Sequence, residues 1–519
     1  MNDAQLKNRI IESLWQVADR HSYILSATLT GSFVNSPTLA GLSDIDFVVV
    51  LDALHEQRFQ VLQEEFSQAV QPVLEQAGYS FLLNPTLGPL KFNAPRLAVL
   101  HLMLYSQEAH VQHVINSPFT CLDWQTSPCY RKRSLAEIYP TFGLQPRHFL
   151  SARRSISDYL RDFRGNVVSY RQLSCHAEGY QEQKCSKPMD DRDRHEFAYH
   201  VMRFLMLNLL KLVRRFEPQP CDLTTLMDRF FALFPAGEHD ARSLLQELAD
   251  KKRRIDYAVA IEGLSKRLES FVARFEQQFR QAFETSASRH IAFRHAATAL
   301  NQPPIRFLGR SDPPILPPQS EELPQWHRLQ QAVEQLQPQR LYASPLKRCQ
   351  QSLQRLDTSS LDAASLQCLV DERLIEMDYG ACEGLAVSDC REKFPKLFAA
   401  WGRGEDPRFP GGENSADVTR RVLDFTTQHW QPDGGNSLLC THNVVLRSLV
   451  GELLGVPPRE RFRIHIPHTA AIGFVATKQF GLFVELDESV EREMFQAFSA
   501  GGETARESTP TQRLVACKS

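Results

Sequence analysis

"HIAFRHAATALN" (residues 290–301) runs from the apolar triplet Ile291-Ala292-Phe293 straight into Arg294 and His295. A short apolar run bounded by polar residues reads as a buried strand, so the Arg-His pair falls where that strand ends. Two readings of the pair are open, a solvated turn or a phosphate site with a nucleophilic imidazole. The second makes a demand on the rest of the chain. Phosphoryl transfer needs cationic groups to hold the charge in flight and an acid to protonate the leaving oxygen. Both appear downstream and in order. "RLYASPLKRCQQS" (340–352) sets Arg348 on the first turn of a helix after a strand, and "RLIEMDYGACEGL" (373–385) offers Glu376 among other acids. "SLLCTHNVVLRSL" (437–449) places His442 where another strand meets a helix. Over 288–497 short apolar runs alternate with amphipathic helices, which predicts an α/β domain with a mainly parallel sheet. Strand C-terminal edges beside helix N-termini are where such sheets bind anionic ligands.

The rest of the chain differs in texture. With 519 residues, two to four domains are expected. Lys+Arg 59 against Asp+Glu 61 leaves net −2, so no global basic field points to bulk nucleic-acid binding. The start "MNDAQLKNRI" has no apolar signal region. The most apolar long window, "FAYHVMRFLMLNLLKLV" (197–213), is broken by His200, Arg203, Asn208 and Lys211 and reads as a buried helix, not a membrane span. Eleven cysteines stand singly, as expected of reduced thiols in a cytoplasm. Cys175, His176, Cys185 and His195 fit no standard zinc spacing.

Residues 1–120 mix strand-like runs ("DFVVVL", "LAVLHLMLY") with a helical stretch at 56–76. Residues 140–286 carry long helical periodicities and are expected to be all-α, with Pro218 and Pro220 in a loop. Six arginines there, Arg147, Arg153, Arg154, Arg161, Arg164 and Arg171, either form a solvated face or meet an anionic ligand. Residues 498–519 are small and polar, as in a flexible tail.

Residues 288–474 resemble the histidine phosphatase superfamily, the phosphoglycerate-mutase-like fold. "RHAATALN" is similar to its R-H-G-[ET]-x-x-N opening, "GRSDPPI" to the following G-x-x-D-x-P-L segment, and "ASPLKRCQQS" to S-P-L-x-R-[AC]-x-x-T. "EMDYGACEG" is similar to its acid segment, "PGGENSADVTRRV" to P-x-G-E-S-x-x-[DE]-x-x-x-R, and "CTHNVVLR" to the second-histidine segment. The resemblance implies a three-layer α/β fold in which His295 attacks phosphorus, Arg294, Arg348 and His442 hold the phosphoryl oxygens, and Glu376 donates the proton. Thr298 and Asn301 are implied substrate contacts, and no metal is implied. The family's glycine and acid after the histidine are Ala296 and Ala297 here. The added methyl is expected to strain a tight turn slightly, and the missing acid to alter substrate choice.

"TLTGSFVNSPTLAGLSDIDFVVVLD" (28–52) is the other stretch with chemistry in it. Gly31-Ser32 would let a backbone turn approach a phosphate. Asp44 and Asp46 alternate at the entry to an apolar strand, so both carboxylates share one face. They either cap and edge that strand or hold Mg²⁺ on a nucleoside triphosphate. With the eleven-residue gap after Ser32, the stretch resembles the polymerase-β-like nucleotidyltransferases, whose pattern is G-S-x(n)-[DS]-D-x-D. The resemblance implies nucleotide binding at Gly31, Ser32, Asp44 and Asp46, with Mg²⁺ on the two aspartates. It also implies a helical partner over 140–286 that closes the nucleotide cleft. The family's third carboxylate has no counterpart: no Asp or Glu occurs from Gln76 through Gln107, and His101 stands in the strand "RLAVLHLMLYS" (96–106), as a core histidine or in the acid's place.

The whole chain is therefore expected to be a bifunctional enzyme. Its N-terminal half would place a nucleoside monophosphate on a hydroxyl acceptor with Mg²⁺. Its C-terminal half would hydrolyse a phosphomonoester. The alternative is a phosphatase with a degenerate, nucleotide-binding, regulatory N-terminal domain. Nucleotide, acceptor, phosphatase substrate and oligomeric state stay open, and mutase activity is not separated from phosphatase activity.

Overall fold

The protein is described from a computed structural model covering residues 2–35, 44–88, 90, 96–149, 156–176, 179–214, 222–254, 256–301, 303–318, 320, 322–361 and 366–499. Arg153, Arg154, Pro218, Pro220 and nearly all of the expected tail lie outside the described residues. The chain forms two compact units, one of residues 1–144 and 148–277, the other of residues 145–147 and 278–519. The regions 1–120 and 140–286 thus fall almost wholly in the first unit.

The N-terminal sheet contains β1 (Ile24–Thr30), β2 (Ile45–Leu51), β3 (Ser80–Asn84), β4 (Leu97–Ser106) and β5 (Tyr130–Lys132) in the order β3-β4-β2-β1-β5. β2 runs antiparallel to β1 and parallel to β4. Phe47 through Leu51 are all 0% exposed, which explains why "FVVVL" is continuously apolar: a central strand is covered on both faces. In the helix Glu56–Gln76, buried Phe59, Leu62, Phe66, Val70 and Val73 recur at helical spacing, as Leu6, Ile10, Leu14 and Val17 do in Asp3–Arg20. Both sets belong to the core around this sheet.

The 140–286 region is not all-α. After the helix Ser157–Gly165, Asn166 takes a left-handed conformation (φ 55°) and ends it. The chain then forms a hairpin of β6 (Val167–His176) and β7 (Gly179–Pro188). Polar, basic residues suit an exposed hairpin as well as an exposed helix face, so composition did not separate the two. The β-branched pair Val167-Val168 after Asn166 is the local signal that does. Beyond the hairpin the region is helical, with Asp191–Arg214 burying the apolar 197–213 window in protein. Among the described residues no helix is long and apolar enough to cross a membrane.

The second unit is built on β8 (Ala287–Arg294), β9 (Arg340–Ala343), β10 (Gln367–Val370), β11 (Ser437–Thr441), β12 (Ala471–Thr477) and β13 (Gly481–Glu485). Their order is β10-β9-β11-β8-β12-β13. The first four are parallel, and β12 and β13 run antiparallel to their neighbours. The sheet is mixed, and its parallel part positions the site. β8, β9 and β11 are adjacent, so their C-terminal ends bring residues 294–295, 344–348 and 441–442 to one edge.

Candidate active site

His295 leaves the end of β8 with its backbone N–H donating to the carbonyl of Thr441, the last residue of β11, at 3.0 Å. Its ring Nδ1 lies 2.7 Å from the carbonyl oxygen of Ala296. A carbonyl only accepts, so Nδ1 carries the hydrogen and the lone pair is on Nε2. That lone pair faces Arg348, whose Nε lies 3.2 Å from His295 Nε2 and 3.2 Å from His442 Nδ1. Arg348 is fully buried on the first turn of the helix Lys347–Gln354. Its Nη groups donate to the carbonyls of Ser311 and Gly309, a fixed fork that lysine could not reproduce. His442 precedes the helix Asn443–Leu453. Since its Nδ1 accepts from Arg348, its Nε2 carries the hydrogen and donates to Ser344 Oγ at 2.7 Å.

Both imidazoles are held neutral. Burial pushes the His295 pKa well below its ordinary value, with His442, Arg348, Arg294 and His468 adding to the effect. Burial does the same to His442, aided by Arg348. A neutral His295 is the form that can attack. Arg294 donates from Nη1 to the carbonyl of Ile466 at 2.8 Å. Burial, with Arg447 nearby, brings its pKa down to about 10, so the guanidinium stays charged at neutral pH.

Glu376 is 7% exposed. Its two carboxylate oxygens accept from the backbone N–H groups of Met377 (2.9 Å) and Val444 (3.4 Å), the latter on the first turn of the helix that follows His442. The loop carrying Glu376 is bolted down by a segment to which sequence reasoning assigned no role. Glu413 accepts from the Asp378 backbone N–H at 3.0 Å and from Arg421 Nε at 3.0 Å, and Arg421 also donates to the Arg373 carbonyl. Gly380 sits at φ +51° in that loop, where a Cβ would stand 2.2 Å from the Pro410 carbonyl oxygen. Ser344 and His468 were also missed. The His468 Nδ1 meets the carbonyl of His295 at 2.9 Å, and its ring lies 5.5 Å from that of His295. No sequence signal marks His468, because it reaches the site from a loop 173 residues downstream.

Thr298 and Asn301 face each other, Asn301 Oδ1 accepting from the Thr298 N–H (2.9 Å) and Oγ1 (2.8 Å). The strain expected at Ala296 is absent: it is not among the non-glycine residues with positive φ, and its N–H donates to Ser352 Oγ at 2.9 Å. A glycine is not required there.

The N-terminal candidates are also brought together. Gly31 has φ +73°, and a Cβ on it would stand 2.4 Å from Asp46 Oδ2. Asp44 is buried just before β2. Asp46 and His101 are paired positions on β2 and β4. The His101 Nδ1 lies 2.9 Å from Asp46 Oδ1 and its Nε2 2.7 Å from the Thr86 carbonyl oxygen. Burial pulls the His101 pKa down, but the Asp46 bond and charge, the Thr86 carbonyl and Asp44 outweigh it and leave the pKa raised. As a home for Mg²⁺ this set fits poorly. A hard dication wants three or more oxygen donors, and here one of the two carboxylates is engaged by an imidazole that faces two acceptors. Among the described residues no three His, Cys, Asp or Glu side chains group to hold a metal ion.

Of the six arginines singled out in the middle region, the four among the described residues are paired. Arg147, in the C-terminal unit, meets Glu491, Arg161 meets Asp158 and Asp162, Arg164 meets Glu269, and Arg171 meets Glu182.

A mixed α/β sheet with two neutral histidines, one buried arginine and one half-buried arginine at the C-terminal edge of its parallel strands suits a protein that acts on phosphoryl groups. Comparison with known proteins agrees. The model of the histidine phosphatase superfamily (branch 1) matches residues 291–486. Phosphoserine phosphatase 1 of Hydrogenobacter thermophilus is 32% identical over 173 residues, 32% of this chain and 76% of that protein. A 2,3-bisphosphoglycerate-dependent phosphoglycerate mutase of Azorhizobium caulinodans is 35% identical over 121 residues, 22% of this chain and 58% of that protein. Among solved structures, Bacillus stearothermophilus YhfR has 21% identity and a TM-score of 0.32, covering 39% of this chain and 96% of that one. The chain belongs to the histidine phosphatase superfamily through its C-terminal unit.

Proposed function

We propose that the protein hydrolyses a phosphomonoester of a small molecule through a phosphohistidine on His295. The observation that carries this is the Arg348 Nε shared between His295 Nε2 and His442 Nδ1, with the His295 tautomer locked by the Ala296 carbonyl. The His295 lone pair attacks phosphorus and the ester P–O bond breaks. Arg294 and Arg348 balance the phosphoryl charge. An arriving dianion raises the pKa of His442 and draws a proton to its Nδ1, making it a second donor. Asn301, ordered through Thr298, offers its amide hydrogens to the same group. Glu376 gives the leaving oxygen its proton, then takes one from the water that attacks phosphohistidine, releasing inorganic phosphate and restoring His295. The names of the relatives span a phosphatase and a mutase, and the phosphohistidine step serves both. The test is a phosphatase assay over a panel of small phosphomonoesters, with acid-labile ³²P trapped on the protein. Vanadate-sensitive, EDTA-resistant turnover lost in His295→Ala supports the reading, and turnover surviving that change sinks it.

For the N-terminal unit we propose nucleotide binding in preference to nucleotidyl transfer. The engagement of Asp46 by His101 favours binding, because it takes a carboxylate away from metal chemistry. Thermal stability with each of the four NTPs, with and without Mg²⁺, reads this directly, since a ligand of the folded state raises apparent stability by mass action. A Mg²⁺-independent shift for an NTP supports binding. A shift that needs Mg²⁺ and vanishes in Asp44→Asn/Asp46→Asn would favour transfer, and no shift would rule out a nucleotide site.

A further inference from the structure

Paired residues on neighbouring strands point to the same face, so Asp46 on β2 and His101 on β4 meet directly. Their contact is closed at both ends. The Nδ1 of His101 is at Asp46 Oδ1 (2.9 Å), and its Nε2 is at the Thr86 carbonyl oxygen (2.7 Å), an atom that only accepts. Both ring nitrogens are therefore committed to protein oxygens. The other oxygen of Asp46 lies against Gly31, at a spot only a residue without Cβ leaves open. Asp44, two residues earlier, is also buried.

We infer that His101, by engaging Asp46, blocks a divalent cation from Asp44 and Asp46, so that this site holds no Mg²⁺ and supports no nucleotidyl transfer, and that replacing this single side chain opens a cation site. The physical reason is competition. A hard cation taking Asp46 Oδ1 must displace the imidazole hydrogen bond. The ring offers nothing in exchange, since both nitrogens are already committed and imidazole suits Mg²⁺ less well than oxygen does. An aspartate at position 101 would face Asp46 across the strand pair and supply the missing oxygen donors. The inference rests on the nucleotidyltransferase-like reading of this unit only for its claim that a cation position exists there.

The experiment is a Mn²⁺ titration of the full-length protein followed by the EPR signal of free Mn²⁺, which requires no nucleotide, acceptor or turnover. Wild type is expected to show no saturable uptake that depends on Asp44 and Asp46. His101→Asp is expected to gain one site, about tenfold tighter or more than any wild-type uptake, and to lose it again in the Asp44→Asn/Asp46→Asn background. Wild-type uptake of one Mn²⁺, abolished by Asp44→Asn/Asp46→Asn, overturns the inference while leaving the nucleotidyltransferase-like reading intact. A folded His101→Asp protein that takes up no Mn²⁺ overturns the reading that a cation position exists there, and the inference with it. Where circular dichroism shows that His101→Asp does not fold, His101→Asn removes the imidazole and supplies one amide oxygen. It is then expected to take up Mn²⁺ above the wild-type level, and a folded His101→Asn protein without that gain overturns the inference.

Discussion

At the scale of single residues, the C-terminal site depends on one lone pair. Arg348 points its Nε at His295 Nε2, whose lone pair is the one the proposed phosphohistidine step uses. His295→Ala is expected to lower kcat by about 10³-fold or more in steady-state assays, and restored activity on adding back a different side chain at that position would contradict this. Arg348→Lys should cost about 10²-fold in kcat/KM, because an ammonium cannot serve both histidines and both carbonyls together. The pH dependence has a definite sign. His295 attacks only when neutral, and burial holds its pKa well below 6.5. Its protonation therefore sets in only at lower pH, and the acidic limb of kcat/KM should fall below pH 6.5. A limb centred at or above 6.5 would show that the imidazole titrates as if exposed.

At the scale of elements, the Glu376 loop and the helix Ser415–His429 work as one piece. Glu413 caps the Asp378 N–H, and Arg421, on that helix, holds Glu413 and the Arg373 carbonyl. Glu413→Gln keeps the shape but weakens the charge-assisted bonds. It is expected to reduce kcat about tenfold with little change in KM, since Glu376 acts after binding. Another element stores a cost. His110, on the helix Gln107–Asn116, is 0% exposed, and neither ring nitrogen has a hydrogen-bond partner among the described residues. Burial holds it neutral, with a pKa lowered to about 3, and its neighbour His113 to about 4. In the unfolded chain both titrate near 6.5, so on acidification the unfolded state takes up protons first. Stability is then present above pH 6.5 and lost as pH falls, by about 1.4 kcal/mol per pH unit for each such histidine. His110→Leu should remove one such increment and stabilise the unit by about 1 kcal/mol at pH 7. Urea melts between pH 7 and pH 5 on both proteins check the slope and the offset together.

At the scale of the whole molecule, the phosphatase reading belongs to the C-terminal unit. Phosphatase turnover is expected to survive excess EDTA and to be inhibited by vanadate, since its cradle is built of Arg294, Arg348 and His442. Loss of turnover on chelation, restored by a divalent ion, would sink that expectation. The two sites were not equally legible in the sequence. His295, Arg348 and His442 each sit just after a strand end or on a helix's first turn, and local pattern finds such places, whereas Glu376 lies in a loop and was offered as one acid among several. Of the partners around them, Ser344, Glu413 and Arg421 fall inside segments that resemble the family's, but their contacts come only with the fold, and His468 carries no local mark.

The amino-acid order by itself determined the alternation of apolar runs and amphipathic helices, and with it the strands, their bounding turns and the residues at their C-terminal ends. Those are properties of neighbours within a few positions, set by backbone geometry and by which faces must be buried. Only the tertiary structure decided the protonation states and the pairings. His295 and His442 are neutral because the folded chain removes water from them and sets arginines beside them. The residues after Asn166 are a hairpin because β6 found β7. Asp46 faces an imidazole because β2 lies parallel to β4, in a register that puts position 46 opposite position 101. Charge state and metal affinity depend on what stands within a few ångströms, and in a folded chain those neighbours come from far along the sequence.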